Sequence, residues 1–243
     1  MKIKLFLSAA ICLSLSNTTF ANDVDLCVTK IKAGLYTEAV PYCEKACNLN
    51  DGLGCIDLGH LYYKGKGVKQ NYQQAKTYLE KACNLDNGWG CALLGISYFN
   101  GRGVKQNYKQ AKTYFEKACN LNASAGCNYL AYSYFYGRGV KQNYQQAKTY
   151  YEKACNLNDG ADCFNLGLLY DKGRGVKQNY QQAKTYYEKA CNLDVGEGCF
   201  NLGLLYGKGQ GVRQSKRTAK EYFGKACDLG VQEGCDVYRK LNE

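Results

Sequence analysis

Residues 51–86 read DGLGCIDLGHLYYKGKGVKQNYQQAKTYLEKACNLD, and the same 36-residue unit returns four more times up to residue 230. A period between about 20 and 50 residues marks an array of stacked supersecondary units. Within the unit, Cys55, Leu58 and Tyr62 recur at i, i+3 and i+7, one face of a helix. Gly59 sits in the middle of that helix, where glycine costs about 1 kcal/mol relative to alanine. Its equivalents are Gly95, Ala131, Gly167 and Gly203, and this restriction to small residues predicts another backbone passing closely. Gly65-x-Gly67 stops the helix, since glycine is easily placed in a left-handed cap. A second helix opens at Asn71, with Gln74 three residues on as a capping-box-like partner. Ala75, Tyr78, Leu79 and Ala82 give its inward face. The pattern predicts seven first helices and six second helices.

Cysteine placement follows the same period. Cys47, Cys83, Cys119, Cys155, Cys191 and Cys227 are each followed eight residues later by Cys55, Cys91, Cys127, Cys163, Cys199 and Cys235. Each pair straddles the short turn between one hairpin and the next, within reach of a disulfide. Cys27 and Cys43 stand outside the lattice. Cys27 to Cys47 is 20 residues where Cys55 to Cys83 is 28, so the first hairpin lacks about eight residues of loop. Cys43 falls where Leu79, Phe115 and Tyr151 fall, which predicts a Cys27–Cys43 bridge inside that hairpin. A metal reading is poorer, because zinc sites favour CxxC knuckles and none occurs.

The N-terminus reads as an export signal. Lys2 and Lys4 precede an apolar run from Leu5 to Ser16, and Thr19-Phe20-Ala21 offers a cleavage site. The run is too short to span a bilayer. A lipid anchor at Cys12 is disfavoured by the bulky Ile11 before it. The segments read as a signal peptide at 1–21, a short capping hairpin at 22–50, five repeats at 51–230 and a capping helix at 231–243. Even cysteine pairing in an exported chain fits an oxidising compartment, secreted or periplasmic. The net charge of +11 falls by two when the signal lysines go. The other lysines recur at equivalent positions and alternate with glutamates such as Glu80 and Glu116. That is a solvated face rather than a nucleic-acid surface, and no cofactor or metal is expected.

The Leu58-Gly59-x2-Tyr62 and Ala75-x3-Leu79-x2-Ala82 pattern resembles a tetratricopeptide repeat with a longer loop. The 36-residue period, the GKGV and GRGV loops and the YYEKAC block resemble the Sel-one-like repeat family more closely. The paired cysteines are similar to those of the Helicobacter cysteine-rich protein family of secreted repeat proteins. The resemblance covers Asn22 to Glu243 and implies an all-α, right-handed solenoid of helical hairpins stapled by disulfides. It also implies penicillin binding and weak β-lactamase activity. No residue of this chain carries that chemistry. None of Ser97, Ser124, Ser133 and Ser215 is followed by lysine three residues later, K-T-G is absent, and His60 is the sole histidine.

Repeat arrays bind along the concave face made by the first helices, and variation between copies locates the candidate residues. The second helix is nearly constant, NYQQAKTYYEKACNLN, whereas the first helix varies in five registers. One holds His60, Ile96 and Tyr132. A second holds Tyr63, Phe99 and Phe135. A third holds Lys64, Asn100 and Tyr136. Trp89 belongs to the fourth, Asn165 and Asn201 to the fifth. The aromatics are suited to anchoring a peptide or protein segment, and the asparagines to bonding an extended backbone. The expected ligand is a peptide or protein, with cell-wall peptides and β-lactams as further candidates, and the expected state is a monomer.

Overall fold

The structure is a computed structural model that describes residues 23–241. The signal-peptide reading of 1–21 lies outside the described residues. Among those described, there are thirteen helices and no strand. They are α1 (residues 23–32), α2 (Tyr36–Asn48), α3 (Gly52–Lys64), α4 (Tyr72–Asn84), α5 (Gly88–Asn100) and α6 (Tyr108–Asn120). Then follow α7 (Ser124–Tyr136), α8 (Tyr144–Asn156), α9 (Gly160–Lys172), α10 (Tyr180–Asn192), α11 (Gly196–Lys208), α12 (Lys216–Asp228) and α13 (Gln232–Lys240). Odd-numbered helices are the first helices of the repeats. Residues 23–121 form one compact unit and residues 122–241 a second.

Each boundary has a local cause. The first helices α3, α5, α7, α9 and α11 end on a left-handed glycine, Gly65 in α3 with φ 66°, whose N–H returns to Leu61 O. The second glycine of the loop is needed for space as well. A Cβ on Gly103 would lie 2.5 Å from Tyr72 Cβ. Second helices end on Asn50, Asp86, Asn122, Asn158 and Asp194, all at φ 55–65°, a conformation that Asn and Asp tolerate better than most residues. The expected capping box is half formed. Asn71 Oδ1 accepts from the N–H groups of Gln73 and Gln74. Its own N–H is already taken by Tyr62 O at 2.9 Å, so no glutamine reaches back to it. The same bond ties Asn107 to Tyr98 and Asn179 to Tyr170, pinning each loop to the helix before it.

Within a hairpin, Leu58 and Leu61 are buried with Ala75 and Leu79, and Tyr62 stacks on Tyr78 at 5.5 Å. Tyr170–Tyr186 and Tyr206–Tyr222 repeat the stack. The mid-helix glycines face the backbone expected and a side chain besides: a Cβ on Gly59, Gly95 or Gly203 would lie 3.2–3.3 Å from Ala75, Ala111 or Ala219 O. A Cβ on Gly95 or Gly167 would meet the ring of Phe115 or Tyr187 at 2.5–2.6 Å, so a large side chain is the main obstacle. Backbone comes closer still at Gly54 and Gly90. There a Cβ would stand 2.5–2.6 Å from Ala46 or Ala82 and 3.0–3.1 Å from the N of the following cysteine.

Successive hairpins are joined covalently and by a lysine. The bridges are Cys47–Cys55 and Cys83–Cys91 in the first unit, and Cys155–Cys163, Cys191–Cys199 and Cys227–Cys235 in the second. Cys119 and Cys127 are also disulfide-bonded. Closing so short a loop restricts the unfolded chain by about 2–3 kcal/mol. Lys117 Nζ donates to Cys83 O at 2.8 Å, Lys189 Nζ to Cys155 O at 2.7 Å and Lys225 Nζ to Cys191 O at 3.0 Å. Each lysine adds a second bond to a last-turn carbonyl of the preceding second helix, which already accepts the N–H three residues on, and brings a cation to the negative end of that helix. The parts making these joints barely change, and α8 and α10 have the same thirteen residues, YQQAKTYYEKACN.

Cys27 bonds Cys43 across α1 and α2, as the register requires. The shortening of this hairpin is not all loop. Helix α1 ends five residues after Cys27, whereas α3 runs nine past Cys55; residues 33–35 replace the longer connection 65–71. Half the deficit is helix and half is loop.

Candidate functional site

In the first unit, α3 and α5 lie against α4 and leave a pocket of about 230 Å³ between them. Its walls are Gly59, His60, Tyr63 and Lys64 of α3, Leu79 of α4, and Leu93, Ile96 and Ser97 of α5. Arg102, from the loop after α5, closes the mouth. It lies over the Tyr63 ring, 5.9 Å from the centroid, and donates to the Tyr63 hydroxyl. The second unit has a pocket of about 250 Å³ made by α7, α8 and α9. Phe135, Tyr136, Tyr151, Asn165, Leu168 and Leu169 line it, with Lys172 and Arg174 at its mouth. Arg174 lies over Phe135, 5.8 Å from the centroid.

The two pockets are the same place in the repeat. Tyr63, Lys64, Leu79, Leu93, Ile96, Ser97 and Arg102 correspond position by position to Phe135, Tyr136, Tyr151, Asn165, Leu168, Leu169 and Arg174, two repeats later. The floors differ. Leu79 and Leu93 make the first apolar, whereas Tyr151 and Asn165 bring a hydroxyl and an amide to the second.

Burial and charge tune both places. Burial, then Lys64 and Lys66, hold His60 below its ordinary imidazole pKa. Asp57, one turn earlier, is pushed up to about 6 by burial and then by Asp51. Burial, and then the charge of Asp162, raise the Tyr151 hydroxyl. Asp162 itself is fully buried and pushed up to about 7 by burial and then by Asp159, with Asn128 and Asn165 opposing the shift. Asn128 Nδ2 donates to Asp162 Oδ1 at 2.7 Å, and Oδ2 has no partner. Among the described residues, no group of three or more His, Cys, Asp or Glu side chains is placed to hold a metal ion.

Of the residues singled out in the sequence, His60, Tyr63, Lys64 and Ile96 meet in the first pocket, and Phe135, Tyr136 and Asn165 in the second. Tyr132 stands beside the second, its ring 4.6 Å from that of Tyr136. Trp89 and Asn100 are exposed at opposite ends of α5, and neither lines either of these two pockets. Phe99 turns into its own hairpin, edge-on to Tyr108 at 5.0 Å. Asn201 on α11 lines neither pocket. Sequence reasoning missed Arg102 and Arg174. They sit in the GRGV loops, which read only as helix stops, and the search for variation is confined to the first helices.

Five stretches, residues 52–87, 90–122, 124–159, 161–195 and 196–231, match the model of the Sel1 repeat. The chain belongs to the Sel1 repeat family. A Sel1 repeat protein from Oxalobacter formigenes has a similar structure, with a TM-score of 0.78 and 25% identity over 90% of this chain and 97% of that one. HcpD of Helicobacter pylori is 40% identical over 67 residues, 28% of this chain and 22% of the relative. Beta-lactamase HcpA of the same species is 39% identical over 51 residues, 21% of this chain and 20% of the relative. The matched stretches span between 12% and 22% of the length of the curated relatives. Sel1 repeats, paired bridges and Hcp relatives together agree with the resemblance drawn from the sequence.

Proposed function

We propose that this disulfide-bonded Sel1 repeat protein is an exported scaffold that binds peptide or protein segments in the pockets between successive first helices. The carrying observation is that one pocket design recurs at equivalent positions in both units, with different residues on its floor. At 230–250 Å³ each is smaller than the roughly 300–1,000 Å³ of drug-sized ligand sites. One side chain of a longer ligand fits that space better than a whole small molecule. His60, Tyr63, Lys64, Ile96, Phe135, Tyr136 and Asn165 form the binding walls in this reading. Trp89, Phe99, Asn100, Tyr132 and Asn201 flank them. The bridges suit an oxidising compartment, secreted or periplasmic. Among the described residues no helix is long and apolar enough to cross a membrane.

The β-lactamase reading rests on the names of the Hcp relatives. The one serine lining either pocket, Ser97, donates its hydroxyl to Leu93 O at 3.0 Å, and Asn100 stands where an S-x-x-K motif needs lysine. The test uses full-length, disulfide-intact protein to capture polypeptides from envelope extracts. Tyr63→Ala and Tyr136→Ala are expected to lower capture about tenfold or more, as removal of an aromatic anchor does. Lys112→Ala and Lys148→Ala on the second helices are expected to leave it unchanged. The reverse pattern, at matched circular dichroism, refutes binding in the pockets. Turnover of a chromogenic β-lactam that disappears in Tyr63→Ala or Tyr136→Ala favours the enzyme instead.

A further inference from the structure

We infer that the pockets select an acidic polypeptide segment, one that seats an uncharged side chain inside and sets flanking carboxylates against the cations at the mouth. The inference rests on the proposed polypeptide binding and adds the chemistry of the partner. Lys64, Arg102 and His60 line the first pocket, Lys172 and Arg174 the second, and neither lining contains a carboxylate.

The basic character of the whole chain does not by itself account for this. Lysines on the second helices are tied to a glutamate one turn on: Lys76–Glu80 at 3.1 Å, Lys148–Glu152 at 2.7 Å and Lys184–Glu188 at 2.8 Å. The mouth cations rest mainly on rings. Lys64 lies over Tyr63 at 5.6 Å, and Arg102 and Arg174 lie over the rings described above. Lys172 pairs with Asp171 at 2.8 Å. A guanidinium stacked on a ring is already ordered, and its planar fork matches a carboxylate in two parallel hydrogen bonds. Burial is the main cause of the depressed basicity of His60, and the charges of Lys64 and Lys66 add to it. The arrangement is built twice, each time from an aromatic residue and the arginine 39 positions later.

The floors set what enters between the carboxylates. Leu79, Leu93 and Ile96 suit an apolar side chain, whereas Tyr151 and Asn165 suit one that forms hydrogen bonds. Each kind of residue, set among aspartates and glutamates, suits one of the two pockets.

Calorimetric titration of the full, oxidised protein tests this with three synthetic peptides. The first alternates Asp or Glu with Leu and Asn, the second replaces every acid by Lys, and the third replaces Leu by Ser. The acidic peptide is expected to bind at least about tenfold more tightly than the basic one, a difference that shrinks in high salt. Leu to Ser is expected to weaken binding several-fold. Arg102→Glu and Arg174→Glu should each weaken the acidic peptide and strengthen the basic one. Arg102→Lys keeps the charge without the fork and should fall between. Equal or tighter binding of the basic peptide, lost in Tyr63→Ala, removes this inference and leaves polypeptide binding standing. Acidic binding that survives both Arg→Glu changes, or is unaffected by Leu to Ser, also overturns it by placing the attraction outside the pockets. No binding of any peptide at about 1 mM overturns the acidic preference, and capture from envelope extracts then decides the broader reading separately.

Discussion

Asp162 occupies a position that is glycine in every other copy: Gly54, Gly90, Gly126, Gly198 and Gly234. Elsewhere a Cβ at this point would press on the alanine of the preceding helix, 2.8 Å away at Gly198 and 2.9 Å at Gly234. The second unit accommodates a whole carboxyl there, fully buried and with one oxygen unpartnered. Its pKa is raised to about 7, so between about pH 4 and 7 the folded state holds a proton that the unfolded chain has released. Stability must therefore fall as pH rises through that window, by at most about 1.4 kcal/mol per pH unit for one proton. Asp57, raised to about 6, acts in the same direction, while the lowered His60 acts oppositely. Comparing Asp162→Asn with the parent cancels both. Urea midpoints at pH 5 and pH 8 should show a smaller drop in the variant; an unchanged drop means that Asp162 titrates normally. The sequence displays this residue as a break in a column of glycines. Its burial is not legible there, because burial depends on how closely α8 and α9 approach.

At the scale of the hairpin, the cysteine lattice and the loop glycines were readable because each is a local requirement with fixed spacing. The Cys27–Cys43 bridge was readable from register alone. The pockets were only half legible. Their first-helix walls vary between copies and so announce themselves, but Arg102 and Arg174 arrive from the next loop, and nothing in linear order says that a loop folds back over a ring 39 residues earlier. Two kinds of tie hold adjacent hairpins, one covalent and one a lysine on a helix end, and they act independently. Cys155→Ser with Cys163→Ser removes only the first, leaving Lys189 on Cys155 O, where the side-chain change does not touch the carbonyl. The expected loss is about 2–3 kcal/mol, seen as a lower melting temperature with room-temperature helicity retained. Collapse of the far-ultraviolet signal at room temperature would show that the lysine tie and packing cannot hold the joint alone.

Across the molecule, all fourteen cysteines of residues 23–241 are disulfide-bonded, and the joints they staple are built from nearly the same residues each time. Removing residues 157–192 joins Asn156 to Leu193, the neighbour that Asn192 has now, and places Cys155 eight positions before Cys199. The shortened chain should therefore be fully oxidised, with no thiol labelled in denaturant before reduction, and should keep its helicity per residue. Two reactive thiols per chain would show that the joints are less alike than their side chains suggest. The thirteen residues shared by α8 and α10 thus matter beyond stability. An unequal exchange between the coding segments for two such helices adds or deletes one copy in frame and leaves every remaining joint intact. Because each pocket floor is shared by two successive copies, such an exchange brings different halves together, and a lineage can revise what it recognises by counting repeats, without first passing through a misfolded intermediate.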